Sequence, residues 1–257
     1  MRKPYIGITG LMSFGDALHV LKALSTNTKR LVMVGVLASL KTMSGFQNKW
    51  PNRYPAMDKI ARIFPKHPLA LNLIHYNTKE PETLVRQLAE MTVIGGENLD
   101  GFQLNIAWPA VATLKRYHEM RQRYREMYSK KQIVLQIGGH AFEMVNHSPD
   151  ELATRVAEYD GVVEYVLLDP SGGYGKPLDP ERARDYLLAL KAKNLGIGLG
   201  VAGGLSPTTL NLIEPLAKEF PDLSIDAEGR LRTQDDHLDL SAASEYLRKA
   251  LVMFGDA

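Results

Sequence analysis

The chain has no cysteine among its 257 residues. Disulfides, thiolate metal sites and a cysteine nucleophile or base are thereby excluded. Charge of one sign is also scarce: 31 Lys and Arg stand against 29 Asp and Glu, a formal net charge of +2. A nucleic-acid-binding face would need a basic cluster, and the densest candidate, Lys115 to Lys131, reads as the solvated surface of a helix. No nucleic-acid partner is expected. Long hydrophobic runs are missing too. No apolar stretch reaches membrane-spanning length, and the opening Met1-Arg2-Lys3-Pro4 leads into a strand without the pattern of a signal peptide. A soluble, cytoplasmic protein with no membrane partner is expected.

What the chain does have is alternation. Short runs of Ile, Val, Leu, Gly and Ala recur, separated by amphipathic helical segments. The runs are Tyr5–Thr9, Leu31–Leu37, Leu69–Ile74, Gly101–Leu104, Ile133–Ile137, Tyr165–Leu168, Gly196–Val201 and Ser224–Asp226. Near-continuous apolar strands are covered on both faces, as in parallel sheets. Eight βα units in a length close to the usual ~250 residues predict an α/β fold, a (β/α)₈ TIM barrel spanning residues 1–257 as one domain. An open doubly wound sheet with an extra unit is the alternative. Ser148-Pro149 and Asp179-Pro180 mark helix starts, and Ser206-Pro207 is expected to open another. The one long irregular stretch, 38–56, holds Phe46, Trp50 and Tyr54; it is either a lid over the barrel mouth or an insertion packed on the rim.

In such barrels the C-terminal strand ends face the site. That rule selects Thr9, Lys41, His75, Asn77, Gln103, Asn105, Gln136, His140, Asp169 and Asp226. Gln103 and Asn105 flank Leu104, so they share one face of the fourth strand and point into the mouth. Asp169 follows three apolar residues at a strand tip, where a carboxylate suits general acid or base work, although a helix-capping or loop-bracing role fits the same position. Asp226 suits a substrate hydrogen bond or a structural role, and either Asp226 or His140 could serve as catalytic partner to Asp169. His75 and His140 lack the spacing of a metal site, and no metal or cofactor is expected. Two glycine clusters, Gly172-Gly173-Tyr174-Gly175-Lys176 and Gly203-Gly204, follow successive strands. Each permits a tight turn; together they make a phosphate cradle of bare backbone N–H groups.

These residues resemble phosphoribosylanthranilate isomerase. The likeness rests on Leu167-Leu168-Asp169 before Gly172-Gly173-Tyr174-Gly175-Lys176, and on Ala202-Gly203-Gly204-Leu205-Ser206-Pro207. Weaker matches are Gly7-Ile8-Thr9, Gln103-Leu104-Asn105 and Ile225-Asp226. The resemblance implies a barrel of the ribulose-phosphate-binding type, a phosphosugar substrate and cofactor-free isomerisation of an aminoaldose to an aminoketose. It implies Asp169 as general acid, with Gly172, Gly173, Gly175, Gly203 and Gly204 on the phosphate. The family's cysteine base falls at Ile6, its neighbouring lysine at Pro4, and its carboxylate-binding arginine has only Lys41 nearby. An isomerase or a relative with altered chemistry, including a lyase or hydrolase, is therefore expected, against a phosphometabolite-binding sensor or partner subunit, or a true isomerase with a replaced base. The outer helices fit a monomer or a homodimer.

Overall fold

The computed structural model describes residues 2–25, 28–123, 131–170 and 177–256. Eight parallel strands close on themselves in sequence order: β1 (Tyr5–Thr9), β2 (Leu31–Ser39), β3 (Ala70–Asn77), β4 (Gly101–Leu104), β5 (Gln132–Ile137), β6 (Tyr165–Leu168), β7 (Gly198–Ala202) and β8 (Ser224–Ala227). The ring closes where Ile6, Gly7 and Ile8 of β1 pair with Ile225, Asp226 and Ala227 of β8. The fold is thus the closed (β/α)₈ barrel and not the open sheet. Among the described residues no helix is long and apolar enough to cross a membrane.

Helices cover the outside: α1 (Phe14–Leu21), α2 (Leu40–Met43), α3 (Ile60–Ile63), α4 (Leu84–Gly95), α5 (Val111–Arg123), α6 (Gly139–Glu143), α7 (Pro149–Ala157), α8 (Pro180–Ala192), α9 (Glu214–Glu219) and α10 (Leu240–Met253). Their starts follow from local chemistry. The Ser148 hydroxyl accepts from the Glu151 N–H, and the Asp179 carboxylate from the Arg182 N–H, each with proline in the first turn. Ser206-Pro207 does not open a helix directly. The hydroxyls of Ser206, Thr208 and Thr209 bond one another and the Gly204 carbonyl, a local alternative to the helical ladder, and regular structure resumes as a 3₁₀ turn at Leu210. The stretch expected to be irregular from Ala38 is in part regular. β2 stays paired with β3 through Ser39↔Asn77, and α2 follows.

Strand periodicity sorts side chains into two cores. Ile6, Ile8, Val32, Val34 and their counterparts face the helices. Tyr5, Met33, Leu71, Leu73, Val134, Tyr165, Leu167 and Ala202 fill the barrel interior. On six of the eight strands the same inward face continues into polar residues, Thr9, His75, Gln103, Gln136, Asp169 and Asp226, all buried. The barrel is therefore apolar below and polar at its C-terminal mouth. Met33→Ala should empty part of the interior and lower stability by about 2–5 kcal/mol, against under about 1 kcal/mol for Leu188→Ala on the outer surface. Urea unfolding midpoints check the difference, and equal losses would contradict the inward assignment.

Candidate active site

The floor of the mouth is a chain of hydrogen bonds from β1 to β6. The Thr9 hydroxyl lies 3.1 and 3.2 Å from the two carboxylate oxygens of Asp226 and donates to that carboxylate. Gln103 Nε2 donates to Asp226 Oδ2 at 3.1 Å and to Gln136 Oε1 at 3.2 Å, and approaches His75 Nδ1 to 3.5 Å. Gln136 Nε2 donates to Asp169 Oδ2 at 2.9 Å. Two amides thus link two carboxylates, each carboxylate accepting from an amide N–H. Room for Asp226 comes from Gly7 on the paired strand, where a Cβ would sit 2.6 Å from Asp226 Oδ1.

Burial raises the Asp226 carboxyl from its ordinary 3.8 to about 7. The bonds from Gln103 and Thr9 oppose that rise, and the charges of Glu228 and Asp169 add to it. Burial holds His75 below its ordinary 6.5, so it is neutral at pH 7. An acid whose folded pKa is raised binds more protons folded than unfolded between the two values, so its folded state loses stability as pH rises through that window. Asp226→Asn removes this loss. The stability of the variant relative to wild type should therefore improve by roughly 3–4 kcal/mol between pH 4 and pH 8, because each tenfold change in proton affinity is worth about 1.4 kcal/mol. Denaturant titrations at several pH values check it; a pH-independent difference would contradict the assignment.

Above the floor lies a cavity of about 240 Å³. Its wall includes Leu37, His75, Asn77, Asn105, Gln136, Asp169, Gly203, Gly204, Asp226 and Glu228, with Trp50, Arg53 and Tyr54 from the segment after α2. Arg53 ties that segment to the chain following β8. Its Nε lies 2.9 Å from both Asp236 oxygens, Nη2 2.6 Å from Asp236 Oδ1, and Nη1 3.0 Å from Glu228 Oε1. Asn52 Nδ2 adds a bond to the Asp235 carbonyl at 3.0 Å. Burial alone would lower the Arg53 guanidinium, but the Asp236 bond and the Glu228 charge and bond outweigh it and raise it. Trp50 stacks on this guanidinium, 5.1 Å from the ring centroid. Arg53→Ala should free residues 44–56 and speed their amide exchange well before global unfolding; unchanged exchange there would show that other contacts hold the segment.

The sequence-selected residues separate clearly in space. Thr9, Gln103, Gln136, Asp169 and Asp226 share the floor network, and His75, Asn77, Asn105, Gly203 and Gly204 line the cavity. Gly203 (φ 126°) and Gly204 (φ 58°) take backbone angles that favour glycine, bringing bare main chain to the wall. Gly172, Gly173, Gly175 and Lys176 lie outside the described residues. Lys41 sits exposed on α2 and is not among the cavity-lining residues. His140 is 74% exposed on α6, bonded to Glu143 at 3.2 Å, and does not line the cavity either. Ile6 is buried among the helix-facing residues; the β1 side chain at the floor is Thr9. Sequence reasoning missed Arg53 and Glu228. Glu228 stands two residues beyond Asp226, within reach of the same inward alternation. Arg53 lies far beyond its strand in irregular chain and carries no periodic signal.

The fold and mouth define a class, the (β/α)₈ barrels with a polar site built on the C-terminal strand ends. Within that class, the barrel superposes on phosphoribosylanthranilate isomerase structures. That from Thermus thermophilus is 14% identical with a TM-score of 0.61, over 96% of this chain and 99% of that one. That from Thermotoga maritima is 16% identical with a TM-score of 0.61, over 98% and 100%. A third, solved with reduced 1-(o-carboxyphenylamino)-1-deoxyribulose 5-phosphate, is 16% identical with a TM-score of 0.59, over 97% and 100%. No protein-family model matches the chain, and no curated protein matches it in sequence. At these identities the likeness establishes the fold.

Proposed function

We propose that this barrel binds a phosphorylated sugar derivative and isomerises it by acid–base catalysis without a cofactor. The observation that carries this reading is the pair of carboxylates, Asp169 and Asp226, joined through Gln136 and Gln103 beneath one cavity. The left-handed Gly203-Gly204 turn on the same wall supports a phosphate position, with Gly172, Gly173, Gly175 and Lys176 proposed from the sequence as its other half. The structural neighbour solved with a deoxyribulose 5-phosphate derivative supports the ligand class.

On an aminoaldose the step balances as follows. Asp169 donates a proton to the ring oxygen while the C1–O bond breaks and the nitrogen lone pair forms C1=N. Asp226, as carboxylate, removes the C2 proton, and the enolamine ketonises. A carboxyl at about 7 is half ionised at neutral pH and so suited to be a general base there. It replaces the family cysteine from a different strand. The competing reading, a barrel that binds a phosphometabolite without turnover, draws on Ile6 at the position matched to that cysteine.

Asp169→Asn and Asp226→Asn should each cost about 10²–10⁴-fold in turnover of a phosphorylated aminoaldose while retaining ligand binding. In wild type the rate should rise through an apparent pKa near 7 as Asp226 ionises, an arm that Asp226→Asn removes. Binding without any turnover across such substrates would favour the sensor reading. Rescue of a tryptophan auxotroph would identify the anthranilate-pathway reaction itself; no rescue at good expression would exclude it.

A further inference from the structure

His75 and Gln103 are register partners on β3 and β4, and Gln103 Nε2 lies 3.5 Å from His75 Nδ1. Which way that amide faces is fixed from the far end of the hydrogen-bonded chain. The Asp169 carboxylate accepts from Gln136 Nε2 at 2.9 Å, so the Gln136 oxygen is the end turned to Gln103. The group facing that oxygen at 3.2 Å is therefore the Gln103 amide nitrogen, which also donates to Asp226 at 3.1 Å. Turned over, Gln103 would set its oxygen against the Gln136 oxygen and the Asp226 carboxylate, acceptor on acceptor.

An amide nitrogen has no lone pair to offer a donor. A proton on His75 Nδ1 would point at N–H bonds and stay unpaired in a buried place, whereas a bare Nδ1 faces a donor. Burial outweighs the charges of Glu228 and Asp169 and keeps the ring neutral, so it carries one proton. That proton sits on Nε2. With Nδ1 turned to Gln103 and the ring lining the cavity, Nε2 is the nitrogen left for a ligand. His75 Nδ1 and Asp226 Oδ2 also touch the same Gln103 nitrogen, which sets the ring beside that carboxylate.

We propose that His75 is a substrate-binding residue of this site, donating its Nε2–H to the sugar oxygen next to Asp226, with Gln103 and Gln136 as the positioning residues that fix its tautomer. This rests on the phosphosugar reading above and adds a residue to it. On an aminoaldose that oxygen is the C2 hydroxyl, borne by the carbon whose proton Asp226 removes. A donor fixed on the hydroxyl turns the C2–H bond toward the carboxylate. A ring held neutral does not protonate the substrate, so proton transfer stays with Asp169 and Asp226.

The test is ¹⁵N magnetic resonance of the intact chain with labelled histidine at pH 7, free and saturated with ribose 5-phosphate. The His75 signals are those that disappear in His75→Gln, or in His75→Asn should the first fold poorly. In the free chain Nδ1 should give the signal of a bare nitrogen and Nε2 that of a protonated one; on saturation Nε2 should shift and Nδ1 stay. A proton on Nδ1, or an Nε2 signal unmoved although ribose 5-phosphate binds, would overturn the proposal and leave the phosphosugar reading intact. Failure of ribose 5-phosphate to bind at all would overturn both together. By calorimetry, His75→Leu should weaken ribose 5-phosphate roughly three- to tenfold and leave inorganic phosphate within about twofold, while His75→Gln, which restores an N–H near Nε2, should hold both within about twofold. Equal losses of ribose 5-phosphate affinity in the two variants would reduce His75 to a packing role and overturn the proposal.

Discussion

Closing eight parallel strands into a barrel sends every second residue of every strand inward, into a space that holds only a few layers of side chains. Everything at the mouth of this protein depends on how that space is shared. The lower layers are apolar, with Met33, Leu73, Val134 and Leu167 among them. The upper layer is polar and includes two carboxylates. A carboxylate there has little water, so its neighbours must supply donors or it must hold its proton. Asp226 does something of both. Thr9 and Gln103 donate to it, and burial still lifts it to about 7.

The two glutamines then acquire a definite role. Gln103 donates from Nε2 both to Asp226 and to the Gln136 oxygen, and Gln136 donates in turn to Asp169, so donors run outward from β4 to β8 on one side and through β5 to the end of β6 on the other. The rim solves a different problem. Arg53 arrives on irregular chain after β2 and meets Asp236 and Glu228 beyond β8, which fastens one side of the cavity wall and consumes its charge.

Much of this is legible in the sequence because it follows from period-two patterning. Each apolar run becomes a strand, Asp169 and Asp226 fall at strand ends, and the alternation of Gln103 with Asn105 sets their shared direction. The limits are local. His140 reads as a mouth residue in the sequence, but β5 ends at Ile137 and α6 starts at Gly139, so the chain turns outward before His140 is reached. Lys41 is displaced because β2 runs on to Ser39 and a helical turn follows, with Thr42 buried and Lys41 exposed. Arg53 acts through partners 183 and 175 residues away, a separation no local pattern announces. The family cysteine position, Ile6, can be matched by motif but not oriented; its side chain faces the helices.

One ligand should span the Gly203-Gly204 turn and both carboxylates. A crystal structure with ribose 5-phosphate tests it most directly. The phosphate should lie against the Gly203-Gly204 backbone and the sugar carbons between Asp169 and Asp226. A phosphate bound elsewhere on the chain, with the cavity above Asp226 empty at saturating ligand, would contradict it.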